Sequence, residues 1–139
     1  MFATILVGTD GSDTATTAVR YAIDLARELD ARLQIVSAYW GSAEQPKDAQ
    51  WRVTAHREVI SMLERAREDA TAAGLTDVET FARQGDAADA ILDVAEEQRA
   101  DLIVVGNKGM TGAERFLLGS VPNRVSHHAP CSVLIVRTT

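Results

Sequence analysis

Leu102-Ile103-Val104-Val105-Gly106-Asn107-Lys108-Gly109-Met110-Thr111-Gly112 is the stretch from which the fold can be read. Its first four residues are apolar without alternation. A strand of that composition is buried on both faces, as happens when helices cover both sides of a parallel sheet. Gly106, Gly109 and Gly112 follow at the strand's end. They let the chain turn sharply and let main chain come close to a ligand. Further on, Gly119-Ser120 reads as the opening of a helix, whose unpaired N–H groups and positive dipole end suit an anion. The Ser120 hydroxyl can cap that helix or donate to a phosphate oxygen. Lys108 and Arg115 can add local positive charge, and Arg124 less directly.

Working outward, three more runs have the same character: Ile5-Leu6-Val7, Leu33 to Ala38, and Val133-Leu134-Ile135-Val136. Val78 to Ala82 is more polar and suits a position nearer a sheet edge. Helical patterns separate the runs. Ala15, Ala18, Val19, Ala22, Leu25, Ala26 and Leu29 keep one apolar stripe, with Ser12 as its N-cap and Asp13 in the first turn. Val53, Ile60, Leu63 and Ala70 mark a second helix that ends before Gly74. Asp86 caps a third, with Ile91, Val94 and Ala95 facing inward. A short fourth begins near Gly119 and ends by Ala129-Pro130. This alternation predicts a doubly wound α/β layer of five parallel strands with right-handed crossovers. The orders 2-1-3-4-5 and 3-2-1-4-5 both remain open at this point. In either, a ligand binds outside the carboxyl ends of the strands, at the switch point.

The chain has 139 residues, 46% of them hydrophobic and 24% charged, and a formal net charge of −6. That size predicts one domain over residues 1–139, and the composition excludes disorder as a description of the whole. An acidic balance argues against a nucleic-acid partner, though it leaves room for a small anion held by a few local groups. Cys131 stands alone, so there is no internal disulfide framework. No apolar run approaches the ~20 residues that cross a bilayer. Met1-Phe2-Ala3-Thr4 lacks a basic leader, so no membrane association and a cytoplasmic location are expected.

Several patterns are set aside. No Gly-Lys-Ser/Thr follows the glycines, so the loop is not a Walker A motif. The even spacing of Gly106, Gly109 and Gly112 does not match the dinucleotide fingerprint. His127 and His128 are adjacent and point apart, a poor metal pair. The alternating charges of Arg57, Glu58, Glu64, Arg65, Arg67 and Glu68 read as a solvated helix face. Tyr39 to Gln50 is either a plain connecting loop or a lid carrying Trp40 or Trp51. Asp10-Gly11-Ser12 can be an ordinary turn leading into an N-cap, or a ligand contact.

Gly106, two residues, Gly109, nine residues and Gly119-Ser120 resemble the nucleotide motif G-x2-G-x9-G-[S/T] of the ATP-binding branch of the universal stress protein family. The likeness extends over the chain. Ile5 to Ser12 is similar to that family's first strand and loop, and Leu117 to Val136 to its last helix and strand. The resemblance implies the sheet order 3-2-1-4-5. It implies that Gly106, Lys108, Gly109, Gly119, Ser120 and Val121 hold a triphosphate and ribose, with Val105 beside the ribose. It places Asp10 near the adenosine, Gly8 and Thr9 at the same strand end, and Ala38 at the adenine edge. The implied ligand is ATP or another adenine nucleotide, with Mg²⁺ carried by the nucleotide. Gly8 stands where many members have proline, and Asn107-Lys108 where serine with histidine or arginine is frequent; neither removes a main-chain contact. A carboxylate repels a triphosphate, so Asp10 is expected to face adenine or ribose rather than the phosphates. The family's last strand commonly pairs with a twofold mate. A homodimer through Val133, Leu134, Ile135 and Val136 would cover an otherwise bare edge.

Three functions compete at this level. The first is a nucleotide-binding module that senses or regulates in stress. The second is a slow Mg²⁺-dependent ATPase, for which cations are present but no group that orients water is evident. The third is a phospho-accepting receiver, which would need an aspartate after the third strand, where Val78 to Arg83 offers none.

Overall fold

A computed structural model describes residues 1–39, 49–108 and 118–138, without the side chains of residues 49, 51 and 52. In chain order the elements are β1 (Thr4–Gly8), α1 (Asp13–Leu29), β2 (Arg32–Tyr39), α2 (Ala49–Ala72), β3 (Val78–Gln84), α3 (Ala87–Gln98), β4 (Leu102–Gly106), α4 (Ser120–His128) and β5 (Ser132–Val136). The five strands form one sheet in the order β3-β2-β1-β4-β5, and every neighbouring pair is parallel. This order removes the flavodoxin-like alternative, which is also the order of receiver domains.

Each helix forms for a local reason. The Ser12 hydroxyl accepts from the Ala15 amide at 3.3 Å, and the Asp86 carboxylate from the Asp89 amide at 3.2 Å, so both expected N-caps are made. Gly74 follows α2 at φ +106°, a conformation that stops the helix and favours glycine. Alanines 15, 18, 22 and 26 are buried in α1 and let the helix lie close to the sheet.

Apolar side chains leave the sheet on both faces. Ile5, Val7, Leu33, Ile35 and Val104 meet α1 and α2, whereas Leu6, Val36, Ile103 and Val105 meet α3 and α4. The second helix departs from the expected stripe. Leu63 and Ala70 are buried, but Val53 and Ile60 are 49% and 40% exposed. Val59, Met62 and Ala66 complete the packed face instead, and Ala73, just past the helix, packs with them. The cause is angular: at about 100° per residue, Val53 and Ile60 share a side of α2 that is turned roughly 100° or more away from the face that Val59, Met62, Leu63, Ala66 and Ala70 present to the sheet. Leu29, the last residue of α1, is likewise 40% exposed rather than part of the buried stripe.

β3 and β5 are the edge strands. Leu134 is 37% exposed, while Val133 and Ile135 are half-buried against the α3–α4 side. Cys131 packs there too, and burial, aided by the Asp101 charge, pushes its thiol pKa up. No helix among the described residues is long and apolar enough to cross a membrane.

Candidate functional site

The chain leaves β1 for β2 on one side and returns from β3 across the sheet to β4 on the other. β1 and β4 are neighbours, so their carboxyl ends flank the switch point. Gly8 ends β1 and Gly106 ends β4.

A small cleft lies there, lined by Gly8, Thr14, Val105, Gly106, Lys108, Val121, Pro122 and Thr138, with Ala15 at its base. Its enclosed volume is ≈ 10 Å³, room for about one water. It is a floor on which a ligand can rest, not a chamber that surrounds one. Among the described residues Lys108 has no ion-pair partner. Its positive charge is therefore uncompensated by them. The cleft's described lining includes no Asp, Glu or His.

Helix α4 starts at this cleft. Gly119 is its N-cap, in extended conformation at φ −61° and ψ 163°. The Gly119 amide donates to the Asn107 carbonyl at 2.9 Å, and Pro122 has no N–H. Both positions are thereby removed from the donors that the helix start presents to an anion. Arg124, one turn on, does not add its charge here. Its guanidinium binds Asp86 at 3.1 Å and Asp89 at 2.6 Å, which ties α4 to α3.

A second hollow, open and of about 340 Å³, adjoins the ends of β1 and β2. Asp10, Gly11, Ser37 and Ala38 line it together with Glu58, Val59, Met62 and Arg65 of α2. Asp10 Oδ1 accepts from the Ser12 amide at 2.9 Å. The turn reading of Asp10-Gly11-Ser12 is therefore realised, and the same carboxylate also borders the hollow. Thr9 is buried and turns away from both places. Its Oγ1 accepts from the Gly11 amide at 3.1 Å, and it lines a groove between α1 and α2.

The structure thus gathers Gly8, Val105, Gly106, Lys108 and Val121 in one cleft, with Gly119 and Ser120 at the start of the helix behind it. Asp10 and Ala38 share the neighbouring hollow. Gly109, Gly112, Arg115 and Trp40 lie outside the described residues, as do most of the Tyr39 to Gln50 stretch and the side chain of Trp51. Two residues have a part that their sequence context did not announce. Asn107 and Thr138 join the ends of β4 and β5, with Thr138 reaching into the cleft. A polar side chain directly after an all-apolar strand was the available signal for Asn107. Among the described residues no group of three or more His, Cys, Asp or Glu could hold a metal ion.

Comparison with known proteins gives a consistent picture. The sequence pattern of the universal stress protein family matches residues 1–137. A universal stress protein of Mycobacterium tuberculosis is 42% identical over 144 aligned positions, covering 99% of this chain and 98% of that protein. The crystal structure of a universal stress protein in complex with cAMP superposes with a TM-score of 0.79 at 36% identity, covering 99% of each chain. A universal stress protein from Lactobacillus plantarum, 24% identical, shares the fold with a TM-score of 0.84 over 98% of both chains.

Proposed function

This chain belongs to the universal stress protein family, and from that premise we propose that it binds an adenine nucleotide, foremost ATP, as a sensor or regulator in the stress response. The observation that carries the proposal is the cleft at the ends of β1 and β4. A glycine strand end, Lys108 with no ion-pair partner among the described residues, and the start of α4 converge there. A 36%-identical relative of the same fold has an adenine nucleotide, cAMP, bound.

In this reading Gly106, Lys108, Gly109, Gly119, Ser120 and Val121 hold the phosphates and ribose, and Val105 lies beside the ribose. Asp10, Gly8 and Ala38 belong to the adenosine end, and Thr9, whose side chain faces the groove between α1 and α2, can reach it through main chain alone. The residues present fit such a ligand. Gly106 has no room to spare, since a Cβ there would come within 3.3 Å of the Thr138 methyl. The positive side chain sits on the phosphate side and the carboxylate in the neighbouring hollow, as charge requires. Mg²⁺ would arrive with the nucleotide, because the described residues offer no acidic cluster of their own. The described lining of the cleft holds no carboxylate or imidazole to orient a water, which favours a binding module over an ATPase. Pairing of β5 with the β5 of a second copy would complete the assembly.

Isothermal titration of the purified chain with Mg·ATP, AMP and cAMP tests the proposal. Binding of ATP is expected, and it should weaken when Gly109→Ala or Gly119→Ala crowds the phosphates. Absence of heat with every adenine nucleotide would sink the proposal.

A further inference from the structure

We propose that Asn107 is a positioning residue for the phosphate side of this site, a role that rests on the nucleotide reading above. Asn107 does not line the cleft. It joins the three pieces of chain that do. Its amide donates to the Val136 carbonyl at 2.8 Å, and its carbonyl accepts from Gly119 at 2.9 Å. Its side-chain Oδ1 accepts from the Thr138 amide at 2.8 Å and from the Thr138 hydroxyl at 3.0 Å. One residue therefore holds the end of β4, the N-cap of α4 and the chain just past β5 in a fixed relation.

The chemistry selects the side chain. Two donors from one residue converge on a single point, and a carboxamide or carboxylate oxygen has two lone pairs to meet them. The consequence reaches the cleft through Thr138. Its methyl lies where it would face a Cβ on Gly106 at 3.3 Å, so it shapes the floor beside that glycine. Asn107 also sits between Gly106 and Lys108 in the chain. Loosening it changes the gap at one neighbour and the aim of the other. The adenosine end, formed around Asp10 and Ala38, is built on β1, β2 and α2 and has no bond to Asn107. Loss of the clasp should therefore cost phosphate recognition and spare adenosine recognition.

The test compares Mg·ATP with adenosine by titration calorimetry on the full chain, together with hydrogen exchange at the Thr138 amide. In Asn107→Ala, ATP affinity is expected to fall about five- to tenfold, as the loss of two part-buried hydrogen bonds allows. Adenosine affinity should stay within about twofold, and the Thr138 amide should exchange faster. Asn107→Asp keeps the accepting oxygen, so it should restore Thr138 protection and leave adenosine binding intact. Thr138→Val removes only the hydroxyl bond and should lower ATP affinity by a smaller factor, about two- to threefold. That variant serves as the measurement if Asn107→Ala does not fold. Equal weakening of ATP and adenosine, or an unchanged ratio, overturns the positioning role while leaving the nucleotide site standing. A wild-type chain that binds neither ligand overturns both.

Discussion

Replacing Gly11 by alanine should destabilise the protein by about 1–2 kcal/mol, a figure assembled from three opposed effects. Gly11 has φ +83°, which an L side chain rarely adopts. Forcing alanine into that region costs ~1–2 kcal/mol. The new methyl would also lie 2.7 Å from Met62 Sδ and 3.3 Å from its Cγ, so the side chain must move. A thioether swings easily, which keeps this second cost below ~1 kcal/mol. Alanine meanwhile stiffens the unfolded chain, returning ~0.4–1 kcal/mol. Backbone strain dominates, and the sign is destabilising. Thermal unfolding followed by circular dichroism should show a midpoint lower by roughly 3–6 °C for a chain of this size. A double-mutant cycle with Met62→Ala isolates the steric share, which should appear as a coupling of ~0.5–1 kcal/mol. A Gly11→Ala protein within ~0.5 kcal/mol of wild type would refute the reasoning, because strain and steric cost together exceed what the stiffened unfolded chain returns. Met62 also borders the hollow beside Asp10 and Ala38, so its displacement should weaken nucleotide binding as well.

Other consequences can be checked with standard measurements. Asp86 caps α3 and pairs with Arg124; Asp86→Ala should cost ~1 kcal/mol in urea unfolding, whereas Asp86→Asn keeps the cap and should cost only a few tenths. Equal costs would mean that the ion pair, not the cap, matters at this position. Pairing through β5 predicts a species of twice the 15.0 kDa chain mass by light scattering; a monomer at ~100 µM, well above the Kd of a stable interface, would remove that assembly.

Local chemistry written in the chain settled much of what is seen. Ile5-Leu6-Val7 and Leu102 to Val105 are strands because an unbroken apolar run is stable only where both faces are covered. Ser12, Asp86 and Gly74 mark helix limits because capping and left-handed backbone depend on a few neighbouring atoms. The candidate cleft was legible for the same reason: Gly106 and Gly119-Ser120 carry their conformational meaning with them. Other features depend on partners distant in sequence. Val53 and Ile60 are apolar at helical spacing, yet only the way α2 lies on the sheet decides that Val59, Met62 and Ala66 face inward and these two outward. Arg124 reads as a cation for the site until α3 brings Asp86 and Asp89 against it. Asn107 and Thr138 lie 31 positions apart, and only the parallel pairing of β4 with β5 sets them within hydrogen-bond reach. Periodicity and caps are short-range properties of a chain. Which charge is neutralised, and which side chain holds the cleft's walls together, are decided where the folded chain crosses itself.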